Sequence, residues 1–130
     1  MKPVPPSTIP ALGITRLAIG AGLIIGPAGL GKALGLSEEE AKQAGWLARL
    51  AGAREIAIGL GTLDAWRSGR PVAGWVAAQG ISDASDALAF ATVAIQGKVS
   101  PVRGWGMSLF ALSGAVSEAL TAAALRRESR

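Results

Sequence analysis

The sequence predicts an all-α fold, an up-down-up-down bundle of four transmembrane helices. Three observations predict it. Half of the residues are hydrophobic, only 17% are charged and the mean hydropathy is +0.40, whereas an ordinary soluble domain carries about 25% charged residues. Four long Ala/Gly/Leu/Ile-rich stretches alternate with short turns rich in Pro, Gly and basic residues, and no strand-like alternation interrupts them. Charged residues fall inside those stretches, where they are costly unless paired. The 130 residues are expected to form one integral membrane domain, 1–130.

Residues 1–8 read as an extended Pro-rich tail. The start of the chain is expected to stay as mature sequence and not as a signal peptide. Three prolines fall in the first six residues, Arg16 interrupts the apolar region, and no small-x-small cleavage site follows. The first helix is predicted over 9–26, with Pro10 in its first turn and Gly26-Pro27 as its break. Residues 28–36 form a Gly-rich connector that can hold a short interfacial turn. Ser37 through Glu40 make a capping box that opens a second helix over 37–66. The three glutamates there suit the positive end of the helix dipole.

Arg67-Ser68-Gly69-Arg70 is a basic turn, and Pro71 opens a third helix over 71–96. Gly97 through Pro101 form the next turn, and the fourth helix covers 101–125, followed by a charged tail. Trp46, Trp66, Trp75 and Trp105 lie near predicted helix ends, where indole rings favour the headgroup layer. Lys2, Arg67, Arg70, Arg126, Arg127 and Arg130 on one side outnumber Lys32, Lys42, Lys98 and Arg103 on the other, six against four. By the positive-inside rule both termini are expected in the cytoplasm, with the chain in the cytoplasmic membrane. A soluble Ala-rich bundle is the competing architecture, because no uncharged run reaches about 18 residues.

Missing residue types exclude a good deal of chemistry. Without Cys there is no disulfide, thiolate nucleophile or zinc–thiolate site, and without His there is no imidazole base. The net charge of +4 is read as membrane topology and not as nucleic-acid binding, since no basic face is interleaved with aromatics. No cofactor or metal is expected. Asp83-x-x-Asp86 alone is a poor magnesium site, and no phosphate-cradling Gly loop is present.

The remaining chemistry rests on carboxylates and arginines. Arg16, Arg54, Glu55, Asp83, Asp86 and Glu118 fall at similar depth in four different helices, so one shared internal cluster is expected. Gln79, Asp83, Asp86 and Phe90 share one face of the third helix. Gly114, Glu118 and Thr121 share one of the fourth, with Ser117 beside them. Two positive charges face four negative ones, so at least one carboxyl, Asp83 or Asp86 foremost, is expected to be protonated near neutral pH. The stripes Ala53, Ala57, Gly61, Ala65 and Ala111, Ala115, Ala119, Ala123 are expected as internal helix contacts, and Gly22-x-x-x-Gly26 as a weak dimerisation motif. No internal repeat is expected.

Arg49-Leu50-Ala51-Gly52-Ala53-Arg54-Glu55, followed by Gly59, resembles the signature of a family of small four-helix membrane proteins of actinobacteria and fungi, catalogued as a domain of unknown function. The resemblance implies the same architecture over most of the chain and marks Arg54 and Glu55. It implies no activity.

Three functions compete. In the first, Asp83, Asp86, Arg54, Glu55 and Glu118 form a membrane-embedded acid/base site. Arg16, Gln79, Phe90 and Ser117 then help to bind a lipophilic small molecule that is isomerised, cyclised or opened at an epoxide. In the second, the same carboxylates form a proton or ion path, which requires a homo-oligomer at this size. In the third, the chain is a non-catalytic accessory subunit whose buried ion pairs lock helix register. An enzyme should hold a closed pocket beside Asp83 and Asp86, and a lock should show direct Arg–Asp pairing and no cavity.

Overall fold

A computed structural model of the chain describes residues 3–129. All regular structure among them is helical: α1 (Thr8–Ile25), α2 (Ala28–Ala33), α3 (Glu38–Gln43), α4 (Gly45–Arg67), α5 (Ala73–Ile95) and α6 (Pro101–Glu128). The four long helices match the four expected ones. Lys2 and Arg130, counted above toward orientation, lie outside the described residues.

The differences are local. The second expected helix is two, because the chain turns at Ala44, which caps α3 and starts α4. Its N–H bonds Glu40 O at 2.9 Å, while its carbonyl accepts from Leu47 N at 3.0 Å, a tightened i+3 turn. That turn lets α2 and α3 fold over one end of the bundle: a Cβ on Gly31 would lie 2.9 Å from Ala41 Cβ, and one on Gly45 3.3 Å from Pro27 Cβ. The capping box is present, with Ser37 Oγ accepting from Glu40 N and Glu40 Oε2 from Ser37 N. α5 begins at Ala73 and not Pro71, with Val72 as its cap. α6 runs on to Glu128, through the expected tail, and Glu128 Oε1 accepts from Val4 N at 2.9 Å.

α1 packs along α4 and α5 along α6, while the two pairs approach each other less closely. Glycine makes the first pairing close. A Cβ on Gly20 would meet Gly52 O at 2.7 Å, one on Gly52 would meet Gly20 O at 2.7 Å, and one on Gly59 would meet Gly13 O at 2.9 Å. Gly13 and Gly20 therefore face Gly59 and Gly52 in antiparallel register. In the second pair, Ser108 Oγ donates to Ala87 O at 2.8 Å, and Gly80 and Gly104 lie against Ala115 and Ala94.

The buried positions of α4 (Gly45, Ala48, Gly52, Glu55, Gly59, Thr62) and of α6 (Gly104, Ser108, Ala111, Ala115, Glu118, Ala122) advance by alternating threes and fours. This corrects the expected stripes. A strict i+4 repeat drifts around the helix, so Ala53, Ala57, Ala119 and Ala123 are exposed, and only Ala65, Ala111 and Ala115 are fully buried.

The interior is built mostly of small and charged residues, with Ile9, Leu34 and Val76 buried among them, and many large apolar side chains are outside. Leu50, Leu60, Ile81, Leu88, Leu109 and Phe110 are all more than half exposed. α1 and α6 are long and apolar enough to cross a membrane by length and composition. α4 and α5 are not in that class, so the span count differs from the four expected. One end of the bundle is closed by Ile9, Val76 and Ala122 with Val4, Leu12 and Leu125 around them. At the other end Ser100 N donates to Leu34 O at 3.0 Å, tying the connector to the start of α6.

Candidate functional site: a buried arginine–carboxylate network

Each long helix carries the same local frame: a small residue, two others, a charged residue, three others, a small residue. The four frames are Gly13-Arg16-Gly20, Gly52-Glu55-Gly59, Gly80-Asp83-Ala87 and Ala115-Glu118-Ala122. All twelve positions are buried except Asp83, which is partly so. Small residues on both sides let the partner backbone come close, and that draws the charged side chain between them into the interior. This repeat went unread in the sequence because its members differ in charge and in Gly or Ala; the spacing alone carries it.

The four charged residues meet. Arg16 Nη1 donates to Glu55 Oε2 at 2.6 Å and to Asp83 Oδ1 at 2.7 Å, and Nη2 donates to Glu118 Oε1 at 2.5 Å. One guanidinium from α1 thus holds a carboxylate from each of α4, α5 and α6. Arg is suited to this because its planar fork presents several donors in fixed directions. Glu55 is the most fully engaged of the acids. Its Oε2 takes Arg16, and its Oε1 accepts from Ser82 Oγ at 3.0 Å and from Arg54 Nε at 3.3 Å.

Arg54 extends the network outward, donating from Nη2 to Asp86 Oδ2 at 2.7 Å. This pair differs from the centre. The side chains of Arg54 and Asp86 are 35% and 33% exposed, against 8% for Arg16 and 3% for Glu55. The network has a sealed hub and one open edge, between α4 and α5.

All six charged residues singled out in the sequence therefore belong to one network. The four accessory positions divide. Gln79 is fully buried and donates from Nε2 to Thr62 Oγ1 at 2.9 Å, which in turn donates to Ile58 O at 2.8 Å. Phe90 is half-buried, one turn beyond Asp86 on α5. Ser117 is exposed, its carbonyl accepting from Thr121 within α6, and it lies outside the hydrogen-bonded network. Arg16, expected to bind substrate, gives three hydrogen bonds to protein carboxylates. Ser82 and Thr62 were missed. Ser82 lies one turn beyond Gln79, and Thr62 lies seven residues beyond Glu55, so helical periodicity marked both.

Two buried oxygens have no hydrogen-bond partner among the described residues, Glu118 Oε2 and Gln79 Oε1. No three acidic groups among those residues are arranged to hold a metal ion, and Asp83 and Asp86 turn to different arginines. A surface hollow lined by Leu60, Leu63, Asp64, Arg67 and Ser68 lies at the α4–α5 turn, not beside Asp83 and Asp86. Asp64 pairs there with Arg70 on the exposed surface. Comparison with protein-family models, curated proteins and solved structures finds no match for the chain. The resemblance of the Arg49–Glu55 segment to the four-helix family stands on those residues alone.

Proposed function

We propose that the chain is an integral membrane bundle in which α1, α4, α5 and α6 all span, and that the Arg54–Asp86 edge is an acid/base site for a lipophilic small molecule reached from the bilayer. The inverted interior supports the membrane reading. In water the many exposed Leu, Ile and Phe side chains would leave apolar surface uncovered, while in lipid they are solvated. α4 carries its charges at its ends and in the network, which is why composition alone does not mark it as a span. Trp46 and Trp66 frame α4, about 30 Å apart at 1.5 Å per residue, the thickness of a hydrocarbon core.

The single observation that carries the chemical reading is the exposure of Arg54 and Asp86 at mid-length of their helices. A lock needs no open edge. An ion pair left a third exposed at bilayer depth is costly, and such groups are retained where they do work. Asp86 is placed to move a proton and Arg54 to hold developing negative charge, with half-buried Phe90 offering an apolar contact one turn away. Specific observations also favour the lock: Arg16 directly pairs three carboxylates from three helices, Asp86 pairs directly with Arg54, and the surface hollow lies away from both aspartates. We assign that role to the hub and the chemistry to the edge.

The test separates the two. Wild type, Asp86→Asn and Arg54→Gln are produced in a bacterial membrane, and lipid-soluble small molecules from each culture are compared by mass spectrometry. A product present with wild type and absent with both variants, at equal amounts of folded protein, supports the site. Variants that differ from wild type only in folded yield leave the whole network as a lock. Carbonate-resistant membrane association checks the location, and a chain released into the aqueous fraction overturns it.

A further inference from the structure

The network carries two guanidinium groups and four carboxyls, a deficit of two positive charges if every acid is ionised. The hydrogen bonds show where that deficit concentrates. Both oxygens of Glu55 are taken by donors, from Arg16, Arg54 and Ser82. Asp86 faces Arg54 at the exposed edge, and Asp83 is partly exposed. Glu118 differs from all three. It is 5% exposed, its Oε1 takes Arg16, and its Oε2 is buried without a donor. A buried carboxylate oxygen left without a donor is costly, and a proton removes both the charge and the vacancy.

Gln79 supplies the other half of the argument. Thr62 Oγ1 donates to Ile58 O, so it can only accept from Gln79, and this fixes the Gln79 amide with Nε2 toward α4 and Oε1 turned away. That Oε1 is buried and has no donor. Gln79 precedes Gly80, whose α-carbon lies against the Glu118 stem: a Cβ there would meet Glu118 Cβ at 3.5 Å. The neighbouring residues on α5 and α6 thus present two buried acceptors and no donor.

We propose that the hub binds one proton, held on Glu118 Oε2 and directed to Gln79 Oε1, so that Glu118 is a neutral carboxylic acid at neutral pH. The charged groups facing it are Arg16 from α1, Glu55 from α4 and Asp83 from α5, the last two through that arginine. The proton lies on α6 and not on Asp83 or Asp86, where charge counting alone would put it. The proposal rests on the network geometry and stands whether or not the edge is catalytic.

Infrared spectroscopy of the protein in lipid nanodiscs reads it directly. At neutral pH a protonated-carboxyl C=O band is expected in wild type, lost in Glu118→Gln and kept in Asp86→Asn. In Gln79→Leu the band is expected to persist but shift to higher frequency, because the carboxyl loses its acceptor. This variant decides the matter if Glu118→Gln does not fold. A wild-type spectrum without the band, a band that survives Glu118→Gln, or one that Gln79→Leu leaves unmoved overturns the assignment.

Discussion

Arg16 and Glu55 meet at 2.6 Å midway between two backbone contacts, Gly13 on Gly59 and Gly20 on Gly52. The glycines set the distance between α1 and α4, and the ion pair lies in the gap that remains. Neither feature works alone. Without close backbones the two charges would be less enclosed, and without the charges the small-residue seam would have nothing to select its register. Because Arg16 also holds Asp83 and Glu118, the pair is one of the ties between the α1–α4 unit and the α5–α6 unit, alongside Gln79–Thr62, Ser82–Glu55 and Arg54–Asp86.

Removing the hub cation should therefore cost far more than removing the edge cation. Arg16→Met leaves the buried carboxyls of Glu55 and Glu118 and the partly buried one of Asp83 facing one another, and breaking a buried ion pair from one side costs about 3–5 kcal/mol. Arg54 is about a third exposed and its loss leaves Glu55 still paired with Arg16, so Arg54→Gln should cost about 1 kcal/mol, near the range of exposed pairs. Thermal unfolding in one detergent, followed by circular dichroism, measures both. Equal melting temperatures for the two variants would refute the division into hub and edge.

Glycine substitutions offer a steric test independent of charge. In Gly52→Ala the new Cβ meets the Gly20 carbonyl oxygen at 2.7 Å, backbone that cannot step aside unless α1 and α4 separate. Overpacking of this kind costs about 1–3 kcal/mol. Gly22→Ala places its Cβ in open space and should be neutral, or stabilising by up to about 1 kcal/mol from helix propensity. The same unfolding assay reads the difference. A Gly52→Ala protein as stable as Gly22→Ala would mean that α1 and α4 are not packed through these residues.

Most of this architecture was legible before any coordinates. Hydrophobic runs and Pro101 placed α1, α5 and α6 to within a few residues, the Ser37 capping box marked α3 and not the start of α4 eight residues later, and shared depth gathered all six charged residues. Three things were not legible. The break at Ala44 has no sequence marker, because an i+3 turn there depends on Gly45 seating against Pro27, far away in sequence. The buried face was misread because alanine is common on every side of these helices, so an i+4 stripe can be found on the wrong one. Ser117 looked like a neighbour of Glu118, but adjacent residues on a helix diverge by about 100°, and it faces outward.

The cap at α3 carries a pH dependence outside the spanning helices. The Ser37 hydroxyl, and then the Ser37 backbone N–H, hold the Glu40 carboxyl below its usual range by favouring the ionised form. A lowered folded-state pKa contributes stability that is present above the unfolded value, about 4.3, and is lost as pH falls through the folded value. The cap should therefore be intact at neutral pH and open in acid. An NMR titration of the Glu40 side chain should give a midpoint below that of a short reference peptide, and Ser37→Ala should return it toward that reference. A wild-type midpoint at or above the reference would show that the cap does not form.

Lipid exposure of the helices can be mapped because the chain has no cysteine of its own. Ser68 lies in the α4–α5 turn, Lys98 in the α5–α6 turn, and Leu112 is half exposed near the middle of α6. In intact cells a membrane-impermeant maleimide should label Lys98→Cys but not Ser68→Cys if both termini are cytoplasmic. The basic residues favour this orientation only slightly, since Arg49, in the second turn of α4, joins the opposite end and makes the balance six against five. Leu112→Cys should stay unreactive in whole cells and in opened membranes alike, because a thiol in hydrocarbon does not form the thiolate that attacks the reagent. Reaction of Leu112→Cys in opened membranes as fast as Ser68→Cys would place α6 in water. Labelling of Ser68→Cys and Lys98→Cys from the same side would mean that α5 does not span.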